Sequence, residues 1–193
     1  QIMEAAAGEL MRAWERSDYH QRLTALIQAG ITLTTQSDPQ AVVQEVAVVA
    51  RQTLRARFTF VTLIDQDHNL TRTASAGQAP RLSKTISRGL SREPLLQAAL
   101  KATHPFRVRD VRRYKHASQI EIDFPNMRSL IAIPIRIQHL NVGAILAFGK
   151  QGAVFFSEND ESLASLLSSQ VAAAIESAWL SHELRSSLLS ITQ

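Results

Sequence analysis

The sequence contains no cysteine, and this absence excludes several kinds of chemistry. Without thiols the chain cannot form disulfides, bind zinc or an iron–sulfur cluster through thiolates, use a cysteine nucleophile or bond a chromophore through sulfur. A chain without disulfides fits a cytoplasmic location, which we expect here. No uninterrupted apolar run approaches the roughly 20 residues of a membrane span. The first 22 residues carry acidic groups and lack the apolar core of a signal peptide, so we expect neither a leader nor membrane contact.

Motifs for catalysis and metal binding are also absent from the sequence. The 6 histidines form no His-x-x-x-His pair, and no carboxylate cluster accompanies them at metal-ligand spacing. The 7 glycines form no phosphate-binding loop, and there is no nucleophile elbow. Glu121 and Asp123 fall in a predicted loop, where solvated side chains are expected. The sequence therefore predicts no enzyme activity for this chain by itself and requires no cofactor.

Aromatic residues make up only 6% of the chain, whereas positive charge is concentrated in its middle. Residues 51–115 hold 14 basic and 4 acidic groups, and the segments on both sides are each acidic by 3 charges. Of the 21 basic residues 17 are arginine, whose planar fork suits carboxylates and phosphates. Few aromatics accompany these charges, which disfavours nucleic acid as a partner. A small anionic ligand and a solvated face balanced by the acidic ends both remain open.

Apolar periodicity predicts the order helix, helix, two strands, helix, three strands, helix. Asp38-Pro39 and Ser157 are expected helix starts, because a capping side chain precedes an apolar stripe at each. A third helix is expected over Ser91–Ala102, after a loop from Gln78. The predicted strands are Phe58–Ile64, Leu70–Ala76, Phe106–Val111, Arg128–Ile137 and Val142–Lys150. Antiparallel hairpins indicate an α+β fold with a central antiparallel sheet of five to six strands and helices packed on it.

Pro134 lies inside one predicted strand, so we expect an edge, a bulge or the end of a ladder there.

Both ends of the chain are predicted to be long helices with apolar stripes. At the first end the stripe consists of Met3, Ala6, Leu10 and Ala13; at the second it consists of Leu180, Leu184, Leu188 and Ile191. We expect a parallel homodimer through these helices, with Leu10 and the four C-terminal residues as contacts. The alternative is that the tail frays alone. The expected division is a dimerisation helix at 1–22, a globular domain at 23–180 and a linker to an output domain from 181 to 193.

Four segments resemble the signature of GAF domains, the sensory modules of bacterial kinases, transcription activators, diguanylate cyclases and eukaryotic phosphodiesterases. They are Pro105–Val111, Arg128–Ile135, Val142–Leu146 and Phe156-Ser157-x-x-Asp160-x-x-Leu163. The resemblance covers roughly residues 23 to 180 and implies a GAF/profilin-like fold with long terminal helices.

One stretch is similar to the cyclic-nucleotide-binding members of the family. Lys150, Phe156, Asp160 and Glu161 match their pattern, but Gly149 stands where those members carry asparagine. Because the Phe and Asp positions also occur in members that bind no cyclic nucleotide, we expect Lys150 and Asp160, beside Phe156, to form a structural ion pair. This pair would hold the last helix to the sheet.

The resemblance implies a ligand site between one sheet face and the segments after the second strand. Its candidates in this sequence comprise three cations, two aromatics and one acceptor: Arg107, Arg109, Arg128, Tyr114, Phe124 and Asp110. The alternative is a pocket filled by side chains without a ligand. Some family members sense gases through haem, and His104 or His116 would be the iron ligand in that case.

The tail, Leu184–Ser190, resembles the segment that precedes the dimerisation helix of sensor histidine kinases of the potassium-sensing type. We therefore expect a non-catalytic sensory and dimerisation module, cut from a two-component sensor histidine kinase just before its kinase core. A transcription regulator, a diguanylate cyclase and a haem-based gas sensor are the alternatives.

Overall fold

The computed structural model describes residues 2–35, 38–67, 69–79, 93–114 and 127–191, with side chains at all of these except 2, 4, 5 and 188–191. Within these ranges the chain forms four α-helices, five β-strands and one 3-10 turn. The helices are α1 (Ile2–Thr35), α2 (Pro39–Leu54), α3 (Pro94–Lys101) and α4 (Glu158–Ile191). The strands are β1 (Ala56–Ile64), β2 (Leu70–Gly77), β3 (Phe106–Val108), β4 (Leu130–Ile137) and β5 (Leu140–Lys150), and the 3-10 turn is Val111–Arg113. The predicted order of elements is confirmed.

The five strands form one antiparallel sheet in the order β2-β1-β5-β4-β3. Strand β1 lies inside the sheet and is apolar on both faces, as its sequence predicts. Val61 and Leu63 pack with α1, α2 and α4 on one face, while Phe58 and Phe60 pack with α3 on the other. The fold is therefore three layers with two apolar cores, the α+β architecture that the sequence predicts.

Local capping determines where two helices begin. The Asp38 carboxylate accepts hydrogen bonds from the backbone N–H groups of Gln40 at 3.1 Å and Ala41 at 3.3 Å. Before α4, the backbone N–H of Ser157 donates to Asp160 Oδ2 at 2.8 Å, and the Asp160 N–H donates to Ser157 Oγ at 3.3 Å. These exchanges satisfy orphan N–H groups of each first turn, so both predicted helix starts are confirmed.

The third strand is shorter than predicted, because it ends at Val108 rather than at Val111. The Asp110 side chain accepts from the backbone N–H of Arg112 at 3.0 Å and caps a 3-10 turn. Helix α3 begins at Pro94; the predicted start at Ser91 and most of the predicted loop lie outside the described residues.

Pro134 lies beyond the end of the β3 ladder, whose last pair is Phe106 with Ala132. The missing N–H therefore leaves no strand partner unsatisfied on that side, and the register irregularity of β4 follows at Ile135. Strand β4 lies inside the sheet, so of the three expected settings for this proline the end of a ladder is the one confirmed.

Helices α1 and α4 run parallel across the same face of the sheet. Arg22 contacts Asp160, and Gly30, eight residues further along α1, faces the side chain of Gln170. Residue numbers thus rise together along both helices. Residues before Asp18 in α1 extend beyond one end of the domain, and residues after Ala178 in α4 extend beyond the other. At 1.5 Å per residue the extension of α1 is about 24 Å long and that of α4 about 20 Å.

Candidate functional site

A cleft of about 1000 Å³ opens where β3, the start of β4 and the segment after β5 meet at the edge of the sheet. We call it the arginine cleft, because its described lining includes six basic side chains: Arg57, Arg107, Arg109, Arg113, Arg128 and Lys150. Asp110 is the one acidic group among the described lining residues, and Tyr114 and Phe155 add aromatic walls. The cleft can therefore hold a molecule that combines negative charge with an apolar portion.

The structure brings most of the predicted ligand residues to this cleft. Arg107, Arg109, Asp110, Tyr114 and Arg128 all line it. The sixth candidate, Phe124, lies outside the described residues. These residues lie at the edge of the sheet, whereas the sheet face beneath α3 is filled by a buried apolar cluster that includes Phe58 and Leu96.

Two of the cleft arginines are held by contacts on the α4 side. Arg107 Nε donates to Glu161 Oε2 at 2.5 Å, and its Nη1 donates to the Phe156 carbonyl at 3.2 Å. The guanidinium carbon of Arg109 lies 5.5 Å from the centre of the Phe155 ring, which is a cation–π distance. Arg107 therefore connects the cleft wall directly to the first turn of α4.

The carboxylate of Asp110 forms an ion pair with Arg112. Arg112 donates from Nε to Oδ1 at 3.2 Å and from Nη2 to Oδ2 at 2.9 Å. The side-chain hydrogen bond from Arg112 is the main reason why the pKa of Asp110 lies below its usual value. The single acidic group of the cleft is thus already neutralised by an arginine outside the lining.

Behind the cleft, Lys150 and Asp160 form the ion pair that the sequence analysis expected. Lys150 Nζ lies 2.7 Å from Asp160 Oδ1 and donates to the Leu54 carbonyl at 3.0 Å. It also lies 5.7 Å from the centre of the Phe156 ring. The pair joins the end of β5 to the start of α4 and to the end of α2.

The third member of this network, Arg22 of α1, was not predicted from the sequence. Its Nη1 lies 2.5 Å from Asp160 Oδ1, and its Nε lies 3.0 Å from Asp18, which also pairs with Arg55. Asp18 and Arg22 form an i,i+4 pair, a signal that the sequence offers but that does not reveal the distant partner. The network ties α1 to the sheet at the residue where its extension leaves the domain.

Burial and charge act in opposite directions on the ionisation of this network. Burial would raise the pKa of Asp160, but Lys150, Arg22 and the Ser157 backbone together hold that pKa below its usual value. Burial is also the main reason why the pKa of Lys150 is lowered, although Asp160 counteracts it. A carboxylate with two cations and a helix cap stays ionised at neutral pH, so we assign Asp160 its negative charge.

Of the two histidines considered for haem, the described residues include only His104. His104 is exposed, its Nδ1 lies 2.9 Å from Thr103 Oγ1, and it is not among the cleft residues. His116 lies outside the described residues. In the part of the chain that the structure describes, no group of three His, Asp or Glu side chains could hold a metal ion.

Within Glu158–Ser187 of helix α4, an 18-residue window reaches a mean hydropathy of 1.2, so by length and composition this helix could cross a membrane. Its apolar residues Leu163, Leu167 and Val171 are buried in the core that the helix shares with the sheet, α1 and α2. Packing inside the domain buries 44% of this window and accounts for that part of its hydropathy.

The architecture is of the α+β class, with a five-stranded antiparallel sheet, two long parallel terminal helices on one face and a polar cleft at the edge. The chain belongs to the GAF family, because the family model described as GAF domain matches residues 36–176. GAF domains are sensory modules, and the expected family is confirmed.

Solved structures with the same fold come from proteins of different activities. The GAF domain of a phosphoenolpyruvate-protein phosphotransferase from Coxiella burnetii is 19% identical with TM-score 0.67, covering 86% of this chain and 98% of that one. A free methionine-R-sulfoxide reductase from Neisseria meningitidis is 16% identical with TM-score 0.65, covering 84% and 92%. The GAF domain of a protein described as a sensor histidine kinase from Pseudomonas syringae pv. tomato is 17% identical with TM-score 0.62, covering 92% and 98%. At these identities the likeness shows the fold alone.

Proposed function

We propose that this chain is the non-catalytic sensory and dimerisation module of a cytoplasmic signalling protein of the sensor histidine kinase type. The observation that carries the proposal is the parallel course of α1 and α4, whose extensions leave the domain at opposite ends. A module built this way receives helical input along α1 and delivers output along α4. The GAF domain of the sensor histidine kinase from Pseudomonas syringae shares this fold and supports the kinase assignment.

The extension of α1 carries an apolar stripe with no partner among the described residues. Met3 is 85% exposed and Leu10 is 72% exposed, and Ala6 and Ala13 lie exposed between and after them. The same spacing then meets the polar residues Ser17, His20 and Thr24 before it reaches Ile27 and Ile31, which are also exposed. A seven-residue repeat of this kind follows a left-handed supercoil, so the stripe fits a second parallel helix.

The extension of α4 carries a matching stripe at the other end. Leu180 is 58% exposed and Leu184 is 66% exposed. The further seam positions Leu188 and Ile191 lie in the helix, although their side chains are outside the described set. Single helices of this length are marginal in water without a packing partner. A second copy of the chain, aligned in parallel, would cover both stripes and place two output domains side by side.

The charge network gives this arrangement a means to respond. Asp18 and Arg22 hold α1 where its extension begins, and Asp160 holds the start of α4 through the same cluster. A change in this network would alter the packing of both helices together. The signal then consists of a shift between two packings of the dimer bundle that the output domain reads.

Sedimentation velocity over a micromolar concentration range tests the dimer. We expect the wild type to be a dimer. For Leu184→Glu we expect a dimer dissociation constant about 100-fold higher, because each chain loses one leucine that the dimer would bury, at about 1.5 kcal/mol each. His182→Glu lies on another exposed face of the same helix and serves as the control, with an unchanged constant. A monomer at all concentrations, or equal effects of the two variants, contradicts the proposal.

A further inference from the structure

We propose that the arginine cleft binds a compact polyanion bearing phosphate or carboxylate groups, and that this ligand is the signal of the module. The proposal rests on the sensory function proposed above and assigns that function a site and a ligand class. It is carried by the excess of positive charge, by the aromatic walls and by the connection of the cleft to α4.

Among the described residues, the positive charge of the cleft is only partly compensated by acidic side chains. Arg107 is paired with Glu161, and Lys150 is paired with Asp160. In contrast, no ion pair involves Arg113 or Arg128 in the part of the chain that the structure describes. Asp110 is hydrogen-bonded to Arg112 and interacts with Arg128 through charge alone, so this one carboxylate faces two arginines. Clefts lined by one sign of charge attract counter-ions, so this one favours an anion with more than one charge.

Shape and chemistry restrict the ligand further. Arginine forks bind the paired oxygens of carboxylates and phosphates, and they do so more strongly than neutral donors. The volume of about 1000 Å³ exceeds what a single inorganic ion fills and lies at the upper end of small-molecule sites. Tyr114 and Phe155 offer apolar surface beside the cations. A small organic polyanion satisfies all three features.

A ligand in this cleft reaches the terminal helices through Arg107. This side chain lines the cleft and also donates to Glu161 in the first turn of α4. An anion that takes hydrogen bonds from Arg107 competes with Glu161 for the same guanidinium. The next carboxylate on that turn is Asp160, which holds Lys150 and Arg22. A bound ligand would therefore change the contacts that hold α1 and α4 to the domain.

Isothermal titration calorimetry at constant ionic strength tests the site, with pyrophosphate as one probe and tricarballylate as the other. We expect saturable binding, with one probe molecule bound per chain. Tighter binding of pyrophosphate would indicate phosphate recognition, and tighter binding of tricarballylate would indicate carboxylate recognition. Arg113→Gln with Arg128→Gln should raise the dissociation constant about 100-fold or more, because two charge-assisted hydrogen bonds are lost. Arg113→Gln alone, at an exposed position, should raise it about 10-fold.

The control variant removes the same number of charges elsewhere. Lys101→Gln with Arg185→Gln replaces two exposed basic side chains that do not line the cleft, and its dissociation constant should stay within threefold of the wild type. Equal weakening in both double variants would show unspecific attraction to a basic protein and would overturn the proposal. Absence of saturable binding of either probe to the wild type would also overturn it. A monomer that binds pyrophosphate contradicts only the dimer, and a dimer that binds neither probe contradicts only the site.

Discussion

Replacement of Asp160 by asparagine tests whether the buried charge network holds the domain together. The carboxylate is 1% exposed and receives four hydrogen bonds from three residues. Oδ1 accepts from Arg22 and Lys150, while Oδ2 accepts from the backbone and side chain of Ser157. An amide has one acceptor oxygen and one donor nitrogen, so it can serve only one of these two groups of donors.

The loss of unfolding free energy in Asp160→Asn depends on which partners Arg22 and Lys150 retain. Among the described residues, Arg22 keeps Asp18 and the Thr53 carbonyl, but Lys150 keeps only the neutral Leu54 carbonyl and the Phe156 ring. Removing one partner of a buried ion pair costs about 3–5 kcal/mol, because the remaining charge is left uncompensated. For a chain of this size each kcal/mol lowers the melting temperature by about 2–4 °C, so we expect a decrease of about 6–20 °C.

Urea unfolding at one fixed protein concentration measures this loss, since dimerisation makes apparent stability depend on concentration. Glu183→Gln removes an exposed carboxylate from the same helix and should change the unfolding free energy by no more than about 0.5 kcal/mol. Adding Lys150→Met to Asp160→Asn removes the stranded charge, so the double variant should lose less than the sum of the single losses. A loss below about 1 kcal/mol for Asp160→Asn, or strictly additive losses, would refute the reasoning.

Two further predictions concern acid stability and strand packing. The folded pKa of Asp160 lies below its usual 3.8, so its contribution is complete above that pH and is lost as pH falls through the folded pKa. The stability gap between wild type and Asp160→Asn should therefore stay constant from neutral pH to about 4 and narrow below it; a gap that narrows near neutral pH would contradict this assignment. Gly143→Ala would place a methyl group against the Thr62 carbonyl of β1, which the sheet holds in place, and should cost about 1–3 kcal/mol in urea unfolding. Gly8→Ala, on the exposed extension of α1, is the control and should cause no loss; equal stability of the two variants would be the contrary result.

Features that depend on neighbouring residues could be predicted from the sequence. The starts of α2 and α4 follow from Asp38-Pro39 and Ser157, because a cap binds N–H groups only two or three residues away. The ion pair of Lys150 with Asp160 was also accessible, since ten residues separate the partners and the family pattern names both positions. Pro134 indicated the end of a ladder without any knowledge of the partner strand.

Other features depended on how distant segments pack. One such feature is the point at which β3 ends. The 3-10 turn after this strand is stabilised by the Val111 N–H, which donates to the carbonyl of Arg128, a residue distant in sequence, at 3.0 Å. The assembly of five predicted ligand residues into one cleft at the sheet edge is another, since it requires β3, β4 and the segment after β5 to meet.

The sequence by itself determined the order of helices and strands, the lack of thiol chemistry and the concentration of arginine in the middle of the chain, because each is a property of composition or of short-range spacing. Only the tertiary structure decided that Arg22 of α1 joins Asp160, 138 residues away. It also decided that α1 and α4 run parallel and leave at opposite ends. The physical reason is that the rotation and direction of a helix are set by the apolar surfaces on which it packs, and these surfaces exist only once the sheet has formed.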